Sequence, residues 1–343
     1  MSTVDAQDLI FVSDVQRAGG DARELRRSAS RNELVRLRRG VYCARQRWLA
    51  LDDRAKHLLR IHAVMRFAQS PGIVAGVSAA ALWGLSIPGA WPTDVTLLSD
   101  YRGGGKSEPG VRRTSVSATG VIPDWIGGLP VTSLERTAVD LARTLSFPQA
   151  LACVDGILAH PRSQGIEAVS RELEGMSLRT GIAKAARVFG HASSLSGSIG
   201  ESEARGVIIE LGFEPPELQV EFVDAQGRII PDYLWRRAAI AGEFDGKFKF
   251  TRNEFTHGDP GEVAWREKKR EDRLRRQVDG VVRILTEHVR NPPALARLLL
   301  EAGVPRLGSE TQTRPRGPAR APVFEVTDGA MTRENVSGER ERP

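Results

Sequence analysis

Between Ile229 and Phe250 the chain alternates in polarity. Ile229-Ile230 is apolar, Pro231-Asp232 closes that segment, and Tyr233-Leu234-Trp235 resumes it. Farther on, Glu243, Asp245, Lys247 and Lys249 fall at every second position, with Phe244, Phe248 and Phe250 between them. Successive side chains leave a strand on opposite faces, so period two marks a half-buried strand. The pattern predicts one face bearing two carboxylates and two ammonium groups, and another bearing aromatic rings.

Elements of matching order flank this stretch. Ser198 is placed to cap a helix that starts near Ile199, carries Glu201, Arg205 and Val207 to Ile209, and stops at Gly212. Leu218 to Val223 reads as a strand, Asp224 to Gly227 as a turn and Arg228 to Tyr233 as the returning strand. Trp265 to Arg276 is a highly charged helical segment, and Gly280 to Leu285 is a final strand. The predicted order over residues 191–303 is αβββαβ, preceded by a small polar linker from His191 to Gly200.

Upstream, Leu58 to Phe67 is an amphipathic helix, with His57 and His62 read as surface or internally satisfied. Ile73 to Leu85 reads as a turn followed by a helix of small residues. Asp94 to Leu98 and Gly110 to Ser117 read as strands around a glycine-rich loop, Gly103 to Ser107. Gly105-Lys106-Ser107 matches only the end of a phosphate-binding loop, because Glu108-Pro109-Gly110 cannot open the helix that such a loop needs. Ser133 is placed to cap a helix in which Arg136 and Asp140 stand one turn apart. Asp140 and Asp155 are read as ion-pair or cap residues, and helical segments continue to about Phe189. These elements make residues 49–190 an α+β unit.

At the start, Asp5 to Phe11 reads as a short helix, Ser13 to Gln16 as a capping box, and Asp21 as the cap of a helix over Ala22 to Arg31. Leu34 to Tyr42 alternates apolar and basic residues around Gly40, as in a hairpin. Three short helices and a basic hairpin outline a winged helix over residues 1–48. Arg23, Arg26, Arg27 and Arg31 line the outer side of the third helix, and Arg36, Arg38 and Arg39 line the hairpin. A helix of this kind enters the major groove while the wing meets phosphates. Residues 304–343 turn to Arg, Pro, Gly, Glu and Thr, a composition that cannot bury a core and predicts a disordered tail from about Leu307.

Composition narrows the choices. At 343 residues the chain has room for two or three domains, so the expectation is a multidomain protein of α/β and α+β type. The start lacks the pattern of a signal peptide and no apolar run approaches a membrane span, which predicts a cytoplasmic protein without membrane contact. The two cysteines, Cys43 and Cys153, stand far apart, against a zinc cluster and in favour of a reducing compartment. A formal charge of +6 and a pI near 9.7 suit a nucleic-acid partner.

Two resemblances sharpen the function. The segment Glu33-Leu-Val-Arg-Leu-Arg-Arg-Gly-Val-Tyr42 resembles the N-terminal domain of AbiEi-type antitoxins, and Ser78 to Leu85 and Pro130 to Leu141 resemble the part that follows it in that family. The resemblance implies a DNA-binding repressor of its own operon, with a middle part that packs and recognises partners. A cognate toxin and a second copy of the chain are the further partners to expect, and no small-molecule cofactor.

The αβββαβ order, with Gly200-Glu201-Ser202, Pro215 to Val220, Pro231-Asp232, Glu243-Phe-Asp-Gly246, Lys249, Glu267 to Leu274 and Val281-Val282-Arg283, resembles the PD-(D/E)xK nuclease core. In particular it is similar to an uncharacterised bacterial domain related to very-short-patch mismatch-repair endonucleases. This implies Mg²⁺ or Mn²⁺ held by Asp232 and Glu243 with Glu201, and Asp245 nearby. Lys247 or Lys249 would orient a metal-activated water or steady developing charge, and Arg270 and Arg283 would contact phosphate. The sequence departs from that pattern at one point: the lysine expected two residues after Glu243 is Asp245. Two readings follow. One is a metal-dependent endonuclease that cleaves phosphodiester bonds in DNA. The other is a non-catalytic antitoxin or autorepressor in which the acids persist as partners of arginines.

Overall fold

The computed structural model describes residues 6–66, 72–98, 108–114, 121–176, 180–246 and 260–308. Over these residues the protein has a mixed α/β architecture with several small sheets and more than one hydrophobic core.

The N-terminal segment begins with a short 3-10 turn at Ala6–Asp8, followed by strand β1 (Leu9–Phe11), not the expected helix. Leu9 and Phe11 are buried on one face, and β1 pairs antiparallel with β3 (Val41–Ala44), Leu9 opposite Cys43 and Phe11 opposite Val41. Pairing across the sheet thus overrides the weak local helix signal. Because Phe11 is held in the sheet, helix α1 (Val12–Arg17) starts directly from it, without the capping box expected at Ser13. Asp21 does cap α2 (Ala22–Ser30), accepting from the Arg23 amide at 2.8 Å. The hairpin of β2 (Leu34–Arg38) and β3 forms as the alternation predicted, with a register shift between Arg36 and Arg38. The short helix α3 (Arg45–Ala50) leads to α4 (Asp53–Met65), whose Ala55, Leu59 and Ala63 close the core over Leu9, Phe11, Val41 and Cys43.

Ile61 and Val64 of the same α4 helix pack into the next core, so α4 belongs to both. That second core lies between a five-stranded sheet, in the order β6-β5-β4-β8-β7, and a set of helices. The strands are β4 (Ile73–Val74), β5 (Val95–Leu98), β6 (Val111–Thr114), β7 (Asp124–Ile126) and β8 (Leu129–Val131). The helices are α5 (Gly76–Leu82), α6 (Leu134–Thr144), α7 (Phe147–Leu158), α8 (Ile166–Gly175) and α9 (Ile182–Phe189). The expected Ser133 cap and Arg136–Asp140 pair are present, the latter at 3.2 Å. His57 is buried and satisfied: Nδ1 lies 2.9 Å from the Pro92 carbonyl, Nε2 lies 2.9 Å from Ser78 Oγ, and Trp91 stacks on the ring. The glycine-rich Gly103–Ser107 loop lies outside the described residues.

Residues 191–198 do not act as a loose linker. Asp155 of α7 is 2% exposed and accepts from the Ser193 amide (2.8 Å), Ser202 Oγ (2.7 Å) and Arg205 Nη2 (2.7 Å). Ser202 and Arg205 belong to α10 (Ile199–Glu210), which Ser198 caps as expected. Gly206 of α10 lies so close to Pro148 of α7 that a Cβ there would stand 2.5 Å from the Pro148 Cα. The helix that opens the C-terminal unit is therefore bolted to the middle core.

That unit contains the hairpin β9 (Phe222–Asp224) and β10 (Gly227–Ile229), and a sheet in the order β11-β12-β13. These last strands are β11 (Tyr233–Trp235), β12 (Ile240–Asp245) and β13 (Gly280–Leu285). The expected second strand over 228–233 is split at Ile230-Pro231-Asp232, because Pro231 lacks the amide that a ladder needs. The expected first strand is reduced to its last residues plus an isolated bridge between Glu217 and Leu234. β11 runs antiparallel to β12, and β12 runs parallel to β13. A parallel pair needs a crossover, and α11 (Pro260–Leu274) lies in it. Helices α12 (Thr286–Arg290) and α13 (Pro292–Ala302) follow. Beyond them Val304 is buried, and the Leu307 amide donates to the Gly212 carbonyl at 2.9 Å, so the packed structure extends through the start of the expected tail. Residues 309–343 lie outside the described residues.

Candidate functional site

Two groups of predicted residues can be followed in space. The first is the arginine set of α2 and the hairpin. Asp21 fixes the start of α2, and Ala22, Leu25 and Ala29 turn partly inward, so Arg23, Arg26 and Arg27 point to solvent. Arg23, Arg26 and Arg39 are exposed and pair with no carboxylate among the described residues. Arg36 is exposed too, and among the described residues its Nε meets only the Arg38 carbonyl, at 3.4 Å.

The remaining three are committed within the protein. Arg27 reaches Glu24 at 3.3 Å. Arg31 contacts Glu33 at 2.8 Å and Glu24 at 2.9 Å, and these carboxylates, Glu33 first, hold the guanidinium above its ordinary pKa. Arg38 pairs with Glu108, seventy residues along the chain. Of the seven arginines expected at a DNA surface, Arg27, Arg31 and Arg38 thus have acidic partners: Glu24 on the same helix, Glu33 just after it, and Glu108.

The second group is the acidic set. Glu201 sits in the first turn of α10, 8% exposed, and its carboxylate accepts from the Gly197 amide (2.9 Å) and Ser198 Oγ (2.8 Å). Tyr233 Oη donates to the Glu201 carbonyl at 2.7 Å, and Gly200 abuts the Phe244 ring, where a Cβ would stand 2.5 Å away. These contacts hold the first turn of α10 over the start of β11 and the end of β12. The register of Tyr233 opposite Gly242 places Asp232 opposite Glu243, and the Asp232 carboxylate accepts from the Phe244 amide at 2.7 Å. Glu201, Asp232 and Glu243 thus lie towards one end of the unit.

Arginines meet the acids there. Arg270 Nη2 lies 3.1 Å from Glu243 Oε1 and donates to the Ile230 carbonyl at 2.8 Å. Arg283 stands beside Glu243 in the parallel register and reaches Asp245 at 3.4 Å and Glu271 at 3.0 Å. Arg275 and Arg283 hold the Glu271 carboxyl below its ordinary range, the Arg275 hydrogen bond being the larger cause. Arg270 and Arg283, expected to face phosphate, are engaged with these carboxylates. Lys247 and Lys249 lie outside the described residues.

A divalent cation needs several oxygens turned to one point at roughly 2.0–2.6 Å. Among the described residues no group of three or more His, Cys, Asp or Glu side chains is gathered in that way. Glu201 directs its oxygens to the start of its own helix, and Asp232 turns one to a backbone amide. As arranged, the three expected ligands do not fit a Mg²⁺ or Mn²⁺ ion between them. The Asp155–Arg205 pair and the Arg38–Glu108 contact were not anticipated, because nothing in local spacing links residues so far apart in sequence.

No helix among the described residues is long and apolar enough to cross a membrane. No family model matches the chain. Two curated Mycobacterium tuberculosis proteins, the uncharacterized proteins MT2308 and Rv2248, are each 29% identical to it over 267 residues, covering 76% of this chain and 88% of theirs. A crystal structure of the RV2827C protein from Mycobacterium tuberculosis is similar at 17% identity with a TM-score of 0.35, covering 58% of this chain and 76% of that one.

Proposed function

We propose that this chain is a DNA-binding protein that docks duplex DNA through α2 and the β2–β3 hairpin, as a winged helix does, and acts as an antitoxin-like autorepressor. One observation carries the reading. Arg23, Arg26, Arg36 and Arg39 stand exposed on two adjoining elements with no carboxylate partner among the described residues. An exposed guanidinium is a ready phosphate ligand, since its planar fork matches phosphate oxygens and binding releases counterions. In this reading the C-terminal unit is a nuclease-like core that binds DNA or a partner. The arginines beside Glu243 and Asp245 support that role over cleavage.

The metal-dependent endonuclease is the second reading. What favours it is the position of Asp232 opposite Glu243, with Glu201 held over the same end of the sheet. One experiment separates the two. Purified protein is incubated with plasmid and with single-stranded DNA in Mg²⁺, in Mn²⁺ and in EDTA, and is tested for retardation of its own promoter DNA. Retardation without cleavage is the expected result. Metal-dependent nicking that disappears in both Asp232→Ala and Glu243→Ala would instead establish the endonuclease. No cleavage and no retardation would sink both.

A further inference from the structure

Arg38 and Arg113 share one carboxylate. Arg38, on the hairpin, pairs with Glu108 Oε1, and Arg113, on β6, lies 3.5 Å from Glu108 Oε2. The cluster therefore carries two positive charges and one negative. Among the described residues no hydrogen-bond acceptor meets the buried Arg38 Nη1 and Arg113 Nη1 atoms. A guanidinium N–H withdrawn from water without an acceptor loses its hydration for nothing, which adds to the cost of the unbalanced charge in the cluster. The side chains stay within reach of solvent: Arg38, Arg113 and Glu108 are 18%, 28% and 35% exposed. Moreover, β6 is an edge strand of the five-stranded sheet.

We propose that Arg38 and Arg113 together hold one backbone phosphate of the bound duplex, so that the middle unit shares the DNA surface with the hairpin. The phosphate supplies the second negative charge that the two guanidiniums lack. Glu108 occupies the position in the absence of DNA, keeps the two guanidiniums together and competes with the phosphate. This inference rests on DNA docking through α2 and the hairpin, and it adds a contact about seventy residues beyond them in sequence.

The test measures binding of the full chain to a promoter duplex by fluorescence anisotropy between about 50 and 200 mM KCl, where each phosphate contact contributes roughly 0.9 to the slope of log affinity against log salt. Arg113→Gln is expected to weaken binding several-fold and to lower the slope by roughly one contact. Glu108→Gln, which keeps both arginines and removes the competing charge, is expected to bind several-fold tighter. Arg26→Ala serves as the reference. If Arg26→Ala weakens binding while folded Arg113→Gln keeps the wild-type affinity and slope, the shared phosphate is overturned and docking through α2 stands. If the wild type binds no duplex, both fall. Should Arg113→Gln fail to fold, Glu108→Gln decides: tighter binding supports the shared phosphate, and unchanged binding overturns it.

Discussion

Arg205 Nη2 donates to Asp155 Oδ2 at 2.7 Å, with the two side chains 6% and 2% exposed. The pair joins α10 to α7, and Ser202 Oγ and the Ser193 amide complete the shell of the carboxylate. Burial raises the Asp155 carboxyl while the Arg205 charge and these donors draw it back. Removing one partner of such a pair strands a buried charge, which costs about 3–5 kcal/mol. Arg205→Ala should therefore lower the free energy of unfolding by that order, read from the urea midpoint. A loss below about 1 kcal/mol would show that the pair is not a joint between the two cores.

The closeness of α10 and α7 gives a second expectation. A methyl group at Gly206 meets the Pro148 Cα at 2.5 Å, and Pro148 Cα is backbone that cannot swing aside. Gly206→Ala should cost on the order of 1–3 kcal/mol through overpacking, even though alanine is the better helix former. Thermal melting is the readout, and a stabilised variant would contradict the packing.

His57 should make the fold sensitive to acid. Burial pushes its imidazole down from about 6.5 to about 4, against the smaller pull of the Pro92 carbonyl. The unfolded chain thus takes up the proton before the folded one does. Stability present above pH 6.5 is lost as pH falls towards 4, by about 3 kcal/mol in all at 1.36 kcal/mol per unit. Urea midpoints of wild type and His57→Gln at pH 7.5 and 4.5 should converge on acidification, because the variant lacks that term. A constant gap between them would refute the assignment.

Glu201 offers a contrast between capping and metal binding. Its carboxylate accepts from Gly197 and Ser198 at the start of α10. Glu201→Ala should destabilise the protein by about 1 kcal/mol, as loss of a helix cap does, and leave promoter affinity unchanged. A metal-ligand role would show instead as Mn²⁺-dependent stabilisation of the wild type that vanishes in the variant.

On the N-terminal unit, Arg23→Ala and Arg26→Ala should each weaken promoter binding and lower the salt slope by roughly one contact. Arg31→Ala should do much less, since Glu33 and Glu24 already occupy that guanidinium. Equal effects at all three positions would mean that the intramolecular pairs open freely on DNA.

The sequence alone determined what short-range physics controls. Asp21, Ser133 and Ser198 cap the helices they were read to cap, since a side-chain oxygen two or three residues from an orphan amide needs no tertiary help. Glu243 and Asp245, the first two charges of the period-two run, lie in strand β12, and the basic hairpin closes around Gly40. Only the tertiary structure decided that Leu9–Phe11 is a strand, because its partner lies at Val41–Cys43. The fates of the charges were decided there as well. Arg38 meets Glu108, Arg205 meets Asp155 and Arg270 meets Glu243 across separations that no local pattern encodes. The fold brings Glu201, Asp232 and Glu243 to one end of a sheet but turns their oxygens to a helix start, a backbone amide and a guanidinium. Residue type says which groups can bind a cation or a phosphate. Which of them are already spoken for depends on what packing places beside them.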